Sequence, residues 1–109
     1  MALWGYRAMW LVAMFDLPVT SREARRQYTR FRKTLLQEGF SMLQYSVYAR
    51  YCVSEETTQR QRSRLRALLP SDGQVRLMSI TDRQFEKMEV YFGKHRVPVE
   101  DAPPQLLLF

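Results

Sequence analysis

Ala8-Met9-Trp10-Leu11-Val12-Ala13-Met14-Phe15-Asp16-Leu17-Pro18 is the stretch on which the reading of this chain turns. Eight uninterrupted apolar side chains bounded by turn chemistry predict a strand buried on both faces, and therefore central in its sheet. Proline has no N–H to give to a sheet ladder, so Pro18 marks the strand's end. Asp16 then stands at the carboxyl end of the strand, where a sheet presents side chains to solvent.

Working outward, the next segment predicts a helix over Ser21–Glu38. Ala24, Tyr28, Phe31 and Leu35 recur at three- and four-residue spacing as its core stripe, with Arg22, Arg26, Arg30 and Lys33 on the opposite side. Gly39 supplies the stop. Ser41 to Cys52 is dominated by β-branched, aromatic and other apolar residues, which predicts two short strands or one bent strand. Its Tyr45, Tyr48 and Tyr51 cannot all share one face of a strand, and core or interface packing is the expected role of each. A second helix is expected from Ser54 as N-cap to Leu69, with Glu55 and Glu56 complementing its dipole and Leu65, Leu68 and Leu69 as a narrow apolar stripe. Arg60 and Arg64 flank that stripe on one side, Arg62 and Arg66 on the other. Pro70-Ser71-Asp72-Gly73 reads as a turn, and Gln74–Thr81 as a returning strand. Thr81 caps a short helix through Met88, and Glu89–Gly93 offers one more short strand.

The order strand, helix, two strands, helix, strand predicts an α+β, ferredoxin-like βαββαβ sandwich with an extra C-terminal strand. The 109 residues form one domain, 1–109. Residues 94–109 end in the tail Pro103-Pro104-Gln105-Leu106-Leu107-Leu108-Phe109, which is too apolar for a free end and is expected to add as a strand to another sheet edge, in a partner subunit or a larger partner protein. No apolar run reaches the length of a bilayer crossing, and Arg7 leads into a strand-like run without a small-residue cleavage site. The single cysteine, Cys52, cannot form an internal disulfide and is expected as buried packing in a reducing cytoplasm.

The net charge of +6 is uneven. Arg22 to Arg66 carries eleven basic and four acidic residues, while the rest carries six basic and seven acidic. A localised basic half points to a polyanionic partner, and fourteen arginines against three lysines suit bidentate phosphate contacts. Arg22, Arg25, Arg26 and Arg30 are the candidate nucleic-acid contacts, with Arg60 and Arg64 secondary.

The chain lacks a Gly-rich phosphate loop and a Ser-His or Cys-His constellation. His95, its one histidine, lies in the polar stretch Gly93-Lys94-His95-Arg96. Ligands are too few for zinc. One carboxylate per chain is also too few to hold Mg²⁺ strongly, but a two-fold homodimer brings two copies of Asp16 into play. Two facing carboxylates could share one Mg²⁺ or Mn²⁺ ion between subunits and, with substrate phosphate, activate a water. The structural alternative for Asp16 is to cap backbone amides of the turn Leu17–Thr20 or of the following helix.

The segments MFDLP and QYSVYAR, with LLQEGFSMLQYSVYAR and LPSDGQVRLMSITDRQFEKM in this order, resemble the small CRISPR-associated "Cas two" family, most closely the branch found with type II systems. The resemblance covers about residues 8 to 109. It implies a homodimer that partners the CRISPR integrase in spacer acquisition and holds double-stranded DNA, with endonuclease or endoribonuclease activity as the alternative. It also implies that Asp16 is the family's catalytic aspartate and proposed metal ligand. Many nuclease members carry an arginine just before the Q-Y-S-V-F motif, where this chain has Met42.

Overall fold

The computed structural model describes residues 7–103. In chain order its elements are β1 (Met9–Asp16), α1 (Arg22–Gln37), β2 (Ser41–Gln44), β3 (Val47–Cys52), α2 (Glu55–Arg66), β4 (Gln74–Thr81), α3 (Asp82–Glu86), β5 (Val90–Phe92) and β6 (His95–Val97). The first four strands form one antiparallel sheet in the order β2-β3-β1-β4. Strand β1 is central, as its unbroken apolar run requires, and the architecture is the ferredoxin-like α+β fold.

Alternation along β1 divides the core. Met9, Leu11, Ala13 and Phe15 face the helices and pack with Phe31 and Leu35 of α1 and Leu65 of α2. Burying each such large side chain contributes about 1.5–3 kcal/mol. Trp10 and Val12 face the other way, into a second cluster with Ala49 and Phe85. There Trp10 stacks on Phe85 at 3.9 Å between centroids and donates from Nε1 to Asp82 at 2.7 Å. Val99 and Ala102, from the chain beyond β6, pack against the same cluster.

Each helix starts as its sequence dictates. Ser21 Oγ accepts from the Ala24 amide, Ser54 Oγ from the Thr57 amide, and Thr81 with Gln84 closes a capping box on α3. The segment after α3 is a two-stranded hairpin, β5 with β6, where the sequence predicts one strand. Val90 to Val97 holds two short runs around Gly93, whose φ of 59° provides the reversal. Of the expected tail, residues 104–109 lie outside the described residues. Cys52 is buried, and no helix among the described residues is long and apolar enough to cross a membrane.

Candidate nucleic-acid interface and carboxylate

Asp16 is the last residue of β1 and pairs across the ladder with Gln74. Alternation puts its side chain on the face of Trp10, Val12 and Met14, the side of the sheet away from α1 and α2. Leu17 turns back into the core, while Asp16 itself is exposed. The start of α1 is capped by Ser21, so of the two capping roles expected for Asp16 the one at the helix falls to another residue. Among the described residues its carboxylate enters no ion pair. The turn before β4 is moulded on this strand end. A Cβ on Gly73, whose φ is +87°, would lie 2.7 Å from the Asp16 carbonyl oxygen and 2.6 Å from Leu17 Cδ2.

The basic side of α1 follows from helix geometry. At 100° per residue, Arg22, Arg26, Lys33 and Arg30 fall within an arc of about 80°, opposite the buried Phe31 and Leu35. All four are exposed. One acid touches the arc, Glu23 against Arg26 at 3.5 Å, and both partners are largely exposed. Arg25 does not share this arc. It lies on the flank of α1 and donates to the Val19 carbonyl at 3.2 Å. The expected group of four arginines is thus three on one arc and one beside it.

The secondary candidates separate as well. Arg64 Nε donates to Glu38 Oε1 at 2.5 Å, and Gln61 donates to the same oxygen at 3.0 Å. Gln61 in turn accepts from Arg50 of β3. This network ties α2 to the C-cap of α1 and holds the Glu38 carboxyl below its ordinary 4.5, chiefly through the Arg64 hydrogen bond and then that of Gln61. Arg64 is therefore occupied inside the molecule. Arg60 makes surface contacts within its own helix, pairing with Glu56 at 3.7 Å and donating to Thr57 Oγ1 at 3.5 Å.

The acid and the basic arc lie on opposite sides of the sheet. Among the described residues no group of three or more His, Cys, Asp or Glu could hold a metal ion. The sequence reading missed two features. Arg32, exposed on the flank of α1, donates to the Tyr48 hydroxyl at 3.0 Å. The three tyrosines of the β2–β3 hairpin also divide: Tyr48 is buried and Tyr51 half-buried, but Tyr45 is 73% exposed. Helical spacing carried a signal for Arg25 and Arg32, which stand three residues before and four after Tyr28. Met42 is exposed, so no base stands at that place in β2.

These features define an α+β domain with one basic helix face and one exposed strand-end acid. A family model for the CRISPR associated protein Cas2 matches residues 9–88. The chain is 50% identical over 101 residues to a CRISPR-associated endoribonuclease Cas2 of Parvibaculum lavamentivorans, covering 93% of this chain and 100% of that protein. Proteins of the same name from Flavobacterium psychrophilum and Paracidovorax avenae are 43% and 42% identical, over 95% and 98% of this chain and 90% and 99% of theirs. This chain belongs to the Cas2 family of CRISPR systems.

Proposed function

We propose that the chain works as a dimeric adaptor that holds double-stranded DNA by its backbone during spacer acquisition and presents it to the CRISPR integrase. The observation that carries this reading is the exposed arc of Arg22, Arg26, Arg30 and Lys33, directed away from the sheet. Phosphate contacts of this kind fix position without reading sequence, which suits foreign DNA of arbitrary sequence. A dimer is supported by the sheet face opposite the helices, where Met78 is 44% exposed and Met14 and Val47 are half-buried. The tail within 94–109 is assigned to contact with the partner subunit or the integrase, and the setting is the cytoplasm.

The second reading is a metal-dependent nuclease acting on RNA or double-stranded DNA, which the word endoribonuclease in the relatives' names favours. At the end of β1 one chain brings only the Asp16 carboxylate, and among the described residues no group of three or more His, Cys, Asp or Glu joins it into a chelate. Two copies of Asp16 across a two-fold axis would make a donor set suited to Mg²⁺ or Mn²⁺, which keep several waters and take oxygen ligands. Such an ion would supply an activated water and charge neutralisation at a phosphodiester. Asp16 itself needs only to be ionised and free of internal partners.

Spacer integration with the cognate integrase separates the two readings. The adaptor reading expects Asp16→Asn to integrate normally, and the triple variant Arg22→Ala, Arg26→Ala, Arg30→Ala to fail. If Asp16→Asn fails while it still dimerises and binds DNA, chemistry at that carboxylate belongs to the mechanism and the adaptor reading is insufficient.

A further inference from the structure

An aromatic column runs from the core to the surface on the helix side of β1. Phe31 packs edge-on to Phe15 at 5.2 Å, Phe15 meets Tyr28 at 5.8 Å, and Tyr28 stacks on Tyr45 at 5.9 Å with 20° between the rings. Tyr45 ends the column at the tip of the β2–β3 hairpin. Its inner side is backed by Tyr28, and 73% of the residue is open to solvent. The neighbouring Tyr28 hydroxyl raises the Tyr45 phenol above its usual range.

The tip is held in a costly conformation. Ser46 has φ 62°, in the left-handed region that residues with a side chain rarely adopt. Two contacts hold it there: the Phe15 amide donates to the Ser46 carbonyl at 3.1 Å, and the Ser46 and Tyr28 hydroxyls lie 3.4 Å apart. The first of these fixes the tip one residue from Asp16. Core packing does not require Tyr45 to stand out in this way, since Phe15, Phe31 and Tyr48 already fill the cluster beneath it.

Charge completes the picture. Arg25 and Arg32 lie on the same flank of α1 as Tyr28, one turn to either side of it. Each is anchored by one hydrogen bond, to the Val19 carbonyl and the Tyr48 hydroxyl, which leaves the other N–H groups of each guanidinium to solvent. A propped aromatic ring, with two anchored guanidiniums on the helix flank that backs it, matches a nucleotide, with a base for the ring and phosphates for the arginines. A base inside a duplex has both faces covered by its neighbours, so the ring selects an unpaired one.

We infer that Tyr45, backed by Tyr28 and flanked by Arg25 and Arg32, is a stacking site for an unpaired nucleobase of single-stranded RNA or DNA, separate from the duplex-holding arc. Stacking is sequence-tolerant because every base has a π-face. A strand seated there passes beside the end of β1. The inference rests on the reading that the protein handles nucleic acid, and it stands whether or not the duplex is the main cargo.

The test uses the full chain, a short single-stranded RNA carrying one 2-aminopurine, and a blunt DNA duplex of arbitrary sequence. Wild-type protein is expected to quench the 2-aminopurine on binding. Tyr45→Leu is expected to abolish the quench and weaken single-strand binding about tenfold, a typical loss for one stacked base. Tyr45→Phe keeps both, and duplex binding stays unchanged in each variant. Absence of quenching by wild-type protein, undiminished quenching by Tyr45→Leu, or equal loss of single strand and duplex overturns the inference. A peptide partner at this tip predicts the first of these outcomes. Failure of wild-type protein to bind the duplex while it quenches the single strand sinks the adaptor reading alone.

Discussion

Salt dependence measures the α1 arc directly. Arg22, Arg26 and Arg30 occupy one face over eight residues, about 12 Å of helix axis. Phosphates on one DNA strand rise about 3.4 Å apiece, so the arc spans about three to four phosphate intervals, enough for each of the three guanidiniums to reach a phosphate of its own. Glu23 competes only for Arg26, and an exposed pair of this kind contributes about 0.2–1 kcal/mol, too little to hold that side chain from a phosphate. Each neutralised phosphate adds about 0.9 to the slope of log K against log salt. Joint replacement of the three arginines by alanine should lower that slope by about 2.7 for each chain that engages the duplex. Between 50 and 200 mM salt, wild type should therefore lose about 40-fold more affinity than the triple variant. Fluorescence anisotropy on duplexes of unrelated sequence reads both quantities, with Arg83→Ala as a control that removes one exposed charge elsewhere. An unchanged slope in the triple variant, or a loss confined to some sequences, refutes the reasoning.

Asp16→Asn should leave the urea midpoint within experimental error, because the carboxylate is exposed and unpaired. The same variant should lose any Mg²⁺- or Mn²⁺-dependent cleavage, read as release of labelled RNA fragments. Glu38 has a depressed pKa, so its contribution to stability is present above the ordinary value of 4.5 and is lost as pH falls through the lower folded value. Removing the main cause with Arg64→Ala should lower stability at pH 7 and flatten its loss toward pH 3, measured by urea unfolding at both. Gly73→Ala forces a methyl group against the Asp16 carbonyl in a left-handed conformation and should cost at least about 1–3 kcal/mol. Met78→Lys adds a charge to the open sheet face, and sedimentation should show the proposed dimer shifted toward monomer; an unshifted dimer would place the subunit interface elsewhere.

Much of the fold could be read from two periodicities. The apolar run Ala8–Phe15 announced a central strand, and Ala24, Tyr28, Phe31 and Leu35 announced a helix lying on it, because burial on two faces and on one leave different patterns. Ser21, Ser54 and Thr81 marked helix starts through their own hydrogen-bonding chemistry. The second terminal strand was not legible: β5 and β6 have three residues each, and such short runs carry almost no periodicity. Within the candidate site, the position of Asp16 was legible and its face was not, since both faces of β1 are apolar and only the packing of α1 and α2 on Leu11 and Phe15 tells them apart. Likewise Arg64 looked like a free cation until α2 packed beside Glu38, a residue 26 positions away in sequence. Tyr45 was hidden because its neighbour Tyr28 belongs to another element.

Because β1 is hydrogen-bonded on both sides and covered on both faces, its amides should be the last to exchange with deuterated solvent. The strand-end acid is thus tethered to the most persistent part of the molecule, whereas β2 at the sheet edge can fray at little cost. Partial opening would release the hairpin tip and its tyrosine well before it disturbed Asp16. The two features that meet the end of β1 from opposite faces of the sheet therefore differ in lifetime: one is a fixed post, and the other a latch that can lift.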